Sequence, residues 1–280
     1  MRYLRMIGAA AALATAVTDA AHAQTAPPAA TPLVIGQTFT LESKALGETR
    51  RINVYLPPAY TDSATVRLPV LYMPDGGIGE DFLHVAGLVQ VLTGNGTMRP
   101  FILVGIENTQ RRRDLTGPTT VAEDRKIAPK VGGSAAYRQF IREELMPQVK
   151  QRYRTTAETA IVGESLAGLF VFETLLLEPQ LFNTYLAFDP SLWWNNGQLA
   201  AQASTLLQKS RPAATVYLAT SIHGDTAATR RLMALARPQA TRLGSWHYEP
   251  MPEETHATIY HPAALRAFRA VFKPKASSSH

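Results

Sequence analysis

The sequence predicts an α/β fold built on one mostly parallel central sheet, with an antiparallel N-terminal hairpin and helices on both faces. Two alternating β-like runs, at 37–46 and 50–56, come first and are separated by Gly47-Glu48, which is typical of a hairpin. Apolar runs of strand length then alternate with helix-length segments, and this order favours parallel strands joined by helices. The chain of 280 residues, 46% of them hydrophobic, is long enough to bury such a core.

The later strands and helices are placed by their apolar periodicity and by the turn residues between them. Strands are predicted at 68–73, 101–106, 184–188, 215–220 and 245–250. Helices are predicted at 78–99, 135–154, 166–178, 198–209, 227–236 and 261–272. Pro147 should kink or split the second of these helices. The polar segment 107–133 carries no clear element, and loops of this length are commonly functional.

The first 23 residues are predicted to be a secretory signal peptide. Arg2 and Arg5 form a positive start, residues 7–17 are apolar, and Ala21-His22-Ala23 is a cleavage pattern. The apolar stretch is shorter than the roughly 20 residues that a membrane-spanning helix needs. We therefore expect a periplasmic or secreted protein with no membrane span after signal cleavage.

The rest of the chain is predicted to form one domain. Residues 24–34 are mostly Ala, Pro and Thr, a composition typical of a flexible lead-in. No repeat or linker interrupts the segment 35–273, which we assign to a single α/β domain. The tail 274–280 is expected to be disordered.

The composition excludes several classes of chemistry. The chain has no cysteine, so disulfides, thiolate metal ligands and thiol catalysis are excluded. Without residues 1–23 it carries 26 basic and 21 acidic residues, a net charge of +5. Such an excess permits an anionic small-molecule ligand but is too diffuse to indicate nucleic acid. No metal or organic cofactor is expected.

The central feature of the sequence is the serine turn within residues 160–170. A β-branched apolar run enters Gly163-Glu164-Ser165-Leu166-Ala167, and an apolar helix-forming segment follows. This pattern is typical of a nucleophile elbow, in which a strained strand-to-helix turn exposes the serine hydroxyl. Gly163 and Ala167 stand where only small side chains fit, although alanine replaces the usual glycine at the last position. The pattern predicts Ser165 as a nucleophile.

A serine nucleophile needs a general base, and six histidines follow residue 23. On this kind of fold the base follows the nucleophile in the sequence and lies in a loop after a late strand. His256 occupies such a position, in the loop after the final strand, and we predict it as the base. His261 and His223 are the alternatives.

The acid that orients the base is less clearly marked. Asp225 follows the strand at 215–220 and is the first choice. Glu253 and Glu254, which are close to the base in sequence, and Asp189 are alternatives, as is a Ser-His dyad without a carboxylate. Asp225 also has a purely structural interpretation, as the N-cap of the helix that begins beside it.

Backbone amides are expected to stabilise the oxyanion of an acyl-transfer reaction. Leu166 directly follows the nucleophile, and Gly77 lies in the glycine-containing turn after the third strand. These are the two positions that supply the donors in a nucleophile-elbow enzyme. We therefore predict Leu166 and Gly77 as the oxyanion hole, with an ordinary Asp-Gly turn as the alternative for Gly77.

Several sequence elements together resemble the putative esterase family of α/β-hydrolases. They are the run at 71–77, the Arg-x-x-Asp-Leu-Thr element at 111–116, the segment 132–154, the GESLAGLF elbow and the Asp-Pro-Ser-Leu-Trp-Trp sequence at 189–194. That family includes esterase D, the antigen 85 mycolyltransferases and periplasmic siderophore esterases that act on enterobactin-type trilactones. The resemblance covers about residues 35–272 and implies an α/β-hydrolase fold with Ser165 as nucleophile and His256 as base.

The resemblance also implies contacts with a substrate. Arg111 and Arg113 would bind an anionic substrate such as a ferric catecholate complex, and Trp193 would line the cleft. Solvated or ion-paired arginines and a core tryptophan are the alternatives. The segment 121–130 is extra length relative to the family pattern and would reshape the substrate cleft.

Together these features predict an exported serine hydrolase that cleaves carboxylic esters through an acyl-enzyme. A siderophore ester of the trilactone type, as an anionic iron-siderophore complex, is the candidate substrate. Two alternatives stay open: an acyltransferase of the mycolyltransferase type, and a non-catalytic periplasmic binder on a hydrolase scaffold.

Overall fold

The central sheet of the computed structural model has eight strands in the order β1-β2-β4-β3-β5-β6-β7-β8. The structure describes residues 30–210, 214–236 and 244–274, and the count refers to these. The strands are β1 (Gln37–Ser43), β2 (Glu48–Tyr55), β3 (Leu68–Pro74), β4 (Ile102–Ile106), β5 (Thr155–Glu164), β6 (Thr184–Phe188), β7 (Thr215–Ser221) and β8 (Trp246–Met251). β2 pairs antiparallel with β1 and β4, and all later neighbours pair in parallel. The predicted sheet is therefore confirmed.

Helices lie between and after these strands. They are α1 (Pro58–Thr61), α2 (Phe82–Gly94), α3 (Arg111–Asp114), α4 (Ala122–Lys126), α5 (Ser134–Phe140), α6 (Met146–Arg152), α7 (Ser165–Leu177), α8 (Trp194–Ser210), α9 (Thr226–Ala236) and α10 (Tyr260–Val271). The short helices α3 and α4 lie in the segment 107–133, where the sequence showed no element.

Two hydrophobic cores cover the two faces of the sheet. Alternate residues of β3 divide between them: Val70 and Tyr72 pack with α5 and α7, whereas Leu71 and Met73 pack with α2 and α10. Every residue of β3 is buried, because a central parallel strand with helices on both sides has no exposed face. The prediction of helices on both faces is confirmed.

The predicted helix 135–154 is divided, as Pro147 suggested. A π-helical turn at Ile141–Leu145 separates α5 from α6, and Pro147 is the second residue of α6. A proline at that place lacks the N–H that would continue the ladder and clashes with the carbonyl of the preceding turn. The π turn lies directly before the proline, where the helical ladder is interrupted.

Parts of the sequence-based description fall outside the described residues. The predicted signal peptide, residues 1–23, lies there, as do residues 24–29 of the lead-in and 275–280 of the tail. The proposed domain boundaries therefore stay predictions. Within the described ranges, no helix has both the length and the apolar character needed to cross a bilayer.

Candidate active site

Ser165 sits at a sharp turn between β5 and α7. β5 ends at Glu164, α7 begins at Ser165, and Ser165 has a φ of 59°, a strained conformation for a residue with a side chain. A Cβ on Gly163 would lie 2.7 Å from the backbone and side chain of Ala167. The turn therefore requires glycine at 163 and a small residue at 167, and it accepts the alanine found there.

His256 meets the Ser165 side chain. Its Nε2 lies 2.9 Å from Ser165 Oγ, the distance of a good hydrogen bond. His256 lies in the loop between β8 and α10, and this loop is held by the bond from Ile222 N to Glu254 O, at 3.0 Å. The structure thus brings together the predicted nucleophile and the predicted base, which are 91 residues apart in sequence.

Asp189 completes the constellation from the end of β6. Its side chain is fully buried, and its Oδ2 lies 3.2 Å from His256 Nδ1. Ser221 holds the carboxylate through its backbone N–H, at 2.6 Å, and through its hydroxyl. A carboxylate can only accept, so Nδ1 carries the hydrogen and Nε2 is left to accept the Ser165 proton. Gly224 packs so closely on Asp189 that a Cβ would collide with Oδ1.

Asp225, the first choice for the acid, is not the residue beside His256. Its Oδ1 accepts a hydrogen bond from Ala228 N at 2.8 Å, which is the N-cap geometry at the start of α9. The choice was wrong. β6 and β7 are neighbours in the sheet, and the carboxylate that reaches the imidazole is Asp189, which follows β6 rather than β7. Glu253 pairs instead with Arg266, and Glu254 accepts from Thr258.

The predicted oxyanion donors differ in their availability. Leu166 is the second residue of α7, where a backbone N–H has no partner within the helix. The Gly77 N–H, however, donates to Glu80 Oε2 at 2.7 Å. The prediction that the Gly77 amide is open toward the nucleophile is therefore wrong for this structure, because a carboxylate three residues later occupies it.

Glu164, next to the nucleophile, was not singled out from the sequence. Its Oε1 lies 3.3 Å from His256 Nε2. Burial raises the pKa of this carboxyl to about 8, although Arg111 acts in the opposite direction. The sequence showed only that an acidic residue stands directly before the serine. An acidic residue there also has a simple structural explanation, because a negative charge at a helix N-terminus is stabilising.

Arg111 and Arg113 are both engaged by carboxylates. Arg111 forms a two-point ion pair with Asp75, with Nε and Nη2 at 2.7 and 2.8 Å from its two oxygens. Arg113 contacts Glu48 at 2.8 Å and Asp114 at 2.6 Å. The hydrogen bond from Arg113 is the largest cause that lowers the pKa of Glu48 to about 2. Both arginines therefore form the ion pairs that were the alternative interpretation, and their contact with a substrate stays a prediction.

Arg112 differs from the arginines on either side. It is exposed, and its Nη1 donates to the carbonyl of Ile127 at 2.6 Å. Together with Lys130 it lines a cavity of about 560 Å³ whose wall also includes Gln110, Arg111, Arg113, Ala128 and Pro129. Among the described residues neither Arg112 nor Lys130 has a carboxylate partner. The cavity therefore carries net positive charge.

The segment 121–130 forms one wall of this cavity. It contains α4, and the buried Asp124 fixes it by accepting from Asn195 N at 2.9 Å and from Thr119 Oγ1 at 2.6 Å.

Trp193 and Trp194, which precede Asn195, differ in their exposure. Trp194 is buried and donates from Nε1 to Gly117 O at 2.9 Å, whereas Trp193 is 54% exposed. Only Trp193 is free to contact a ligand.

Comparisons with known proteins identify the family of this chain. Residues 43–258 match the model of the family described as "Putative esterase". The ferri-bacillibactin esterase BesA of Bacillus subtilis is 30% identical over 165 residues, 53% of this chain and 56% of that protein. The siderophore triacetylfusarinine C esterase of Aspergillus fumigatus is 29% identical over 196 residues, 66% of this chain and 65% of that protein. The matches thus span less than two thirds of either relative.

A solved structure is similar over a larger share of its length. The IroE-like serine hydrolase of Shewanella oneidensis is 30% identical, with a TM-score of 0.73 over 85% of this chain and 80% of that one. The mostly parallel sheet, the elbow at Ser165 and this likeness confirm the expected α/β-hydrolase fold. The chain belongs to the putative esterase family of α/β-hydrolases.

Proposed function

We propose that the chain is an exported serine esterase that hydrolyses carboxylic esters through an acyl-enzyme. The observation that carries the proposal is the line of hydrogen bonds from Ser165 Oγ through His256 to Asp189, with distances of 2.9 and 3.2 Å. A hydroxyl, a base and a buried carboxylate in this order are the parts needed to activate a serine nucleophile. Export rests on the signal-peptide pattern at residues 1–23.

Each residue has a defined step in this mechanism. Ser165 Oγ attacks the ester carbonyl while His256 Nε2 takes its proton, and the Leu166 N–H donates to the oxygen that becomes negative. Gly77 can add a second donor only after Glu80 releases its amide. His256 then gives the proton to the leaving alcohol, and water activated by the same imidazole hydrolyses the acyl-enzyme. Asp189 holds the ring and stabilises its positive charge.

The proposed substrate class is a siderophore ester with anionic catecholate groups. Two relatives are named for esters of siderophores, a ferri-bacillibactin and a triacetylfusarinine C esterase. The cavity beside Arg111 offers Arg112 and Lys130 to negative charge, and guanidinium and ammonium groups bind such oxygens well. Arg111 lines this cavity, pairs with Asp75 and interacts electrostatically with Glu164, the residue before the nucleophile.

A substrate panel tests this proposal. We expect ferric and iron-free triscatecholate trilactones to be hydrolysed with a higher kcat/KM than p-nitrophenyl acetate, because only the former carry catecholate oxygens for Arg112 and Lys130 to bind. Product analysis in the presence of an added alcohol should show the free acid rather than a new ester. Transfer to the alcohol would favour the acyltransferase, and turnover of the aryl ester alone would remove the siderophore assignment.

Replacing Arg112 by glutamine should weaken binding of the anionic substrate selectively. Loss of a charge-assisted hydrogen bond predicts a KM for the ferric trilactone that is about tenfold higher, with little change in KM for p-nitrophenyl acetate. Steady-state kinetics on both esters measure the difference. Arg142→Gln, at an exposed arginine paired with Glu143 and Glu178, is the matched control. An equal effect on both esters would argue against an anion-binding role.

A further inference from the structure

Glu164 is a mostly buried carboxyl group beside the nucleophile that the mechanism above does not use. It is the last residue of β5, and its side chain is 16% exposed. Its Oε1 is buried and has no hydrogen-bond partner among the described residues. Burying a polar atom without a partner costs free energy, so an unpaired carboxyl oxygen at this place needs an explanation.

A nitrogen of the base lies close enough to this oxygen to exchange a proton with it. Glu164 Oε1 lies 3.3 Å from His256 Nε2, and the same nitrogen is 2.9 Å from Ser165 Oγ. Nε2 therefore faces two oxygens, and only one of them is the nucleophile. β5 and the N-terminus of α7 hold the Glu164 backbone directly beside Ser165.

Several groups from different elements set the charge of Glu164. Burial is the largest cause and raises its pKa to about 8. Arg111 on α3 lowers the pKa, and Asp189 after β6, Asp75 after β3 and Asp81 before α2 raise it. The charge of Glu164 also contributes to raising the pKa of the buried Tyr260 hydroxyl on α10, for which burial is the largest cause. The carboxyl is therefore neutral below about pH 8 and ionised above it.

We propose that Glu164 is a positioning residue that shares a proton with His256 and so controls when the base can accept from Ser165. In its neutral form its hydroxyl donates to Nε2 and competes with Ser165 for that nitrogen. In its ionised form it leaves Nε2 free and stabilises the imidazolium that forms when the Ser165 proton is transferred. The inference rests on the proposed esterase mechanism.

The pH dependence of kcat/KM for p-nitrophenyl acetate tests the inference. The plot of kcat/KM against pH for the wild-type protein should have a limb that rises around pH 8. Glu164→Gln cannot ionise, so it should lose this limb and reach a plateau about tenfold lower, which corresponds to ~1.4 kcal/mol. Glu164→Asp keeps an ionisable group and should keep a limb. Glu143→Gln, at an exposed glutamate, should leave the profile unchanged.

An infrared pH titration gives a readout that does not depend on turnover. In a Ser165→Ala background, a protonated-carboxyl band should disappear around pH 8 and should be absent once Glu164 is also replaced by glutamine. A wild-type profile and plateau in Glu164→Gln would overturn the inference, as would the lack of such a band. Activity that survives Ser165→Ala would overturn the proposed function itself, and this inference with it.

Discussion

Replacing Ser165 by alanine is expected to lower kcat/KM for ester hydrolysis by on the order of 10⁴-fold or more. The substitution removes the nucleophilic oxygen, Ser165 Oγ, which lies 2.9 Å from His256 Nε2. It keeps a small side chain at the strained turn, so the free energy of unfolding should change by less than about 1 kcal/mol. Initial rates with p-nitrophenyl acetate and a thermal melt measure both quantities.

The melt decides how a loss of activity is interpreted. An inactive variant with a wild-type melting temperature supports the nucleophile. Activity within a few-fold of wild type would contradict it. Ser191 is the residue to examine in that case, because its hydroxyl lies 3.5 Å from Ser165 Oγ.

Replacing Asp189 by asparagine is expected to lower kcat by on the order of 10³-fold. An amide NH₂ turned toward the imidazole would favour the tautomer with hydrogen on Nε2, and that nitrogen could no longer accept the Ser165 proton. The buried site also loses charge-assisted bonds from Ser221, so we expect destabilisation of about 1–3 kcal/mol. Kinetics below the melting transition, with unfolding followed separately, distinguish the two effects.

Asp225→Asn is the matched control for this result. Asparagine caps a helix about as well as aspartate, and within the described part of the chain the Asp225 carboxylate bonds to Ala228 N at the start of α9. The rate should therefore stay within about twofold of wild type. A strong loss in Asp225→Asn together with a small one in Asp189→Asn would contradict the assignment of the acid.

Local patterns were enough to predict the sheet, the elbow and the base. The serine turn depends on contacts within a few residues, since Gly163 meets Ala167, and such contacts appear directly in the sequence. His256 was found because the order of elements places the last loop above the elbow. These features follow from periodicity, turn chemistry and chain order.

The acid and the oxyanion donor depended on contacts that chain order does not specify. Both β6 and β7 end in a loop with an aspartate, and only the structure shows that Asp189, rather than Asp225, reaches the imidazole. Similarly, the bond from Gly77 N to Glu80 depends on how a turn directs a side chain. Aspartate and glutamate fit capping and catalytic roles equally well, so residue type alone could not decide.

The arginine run shows the same limit. Three adjacent arginines are equivalent in sequence, yet Arg111 pairs with Asp75, Arg113 pairs with Glu48 and Asp114, and Arg112 donates to the carbonyl of Ile127. The difference arises because α3 turns the three side chains in different directions. Residue type and position in the run could not distinguish these three environments.

Labelling with a fluorophosphonate probe tests the central claim most directly, because the probe reacts covalently with an activated serine. Mass spectrometry of the wild-type protein should show one adduct, on the peptide that contains Ser165. Ser165→Ala should show none, and Asp189→Asn should label much more slowly than Asp225→Asn. An unlabelled wild-type protein, or an adduct on Ser191 instead, would contradict the account.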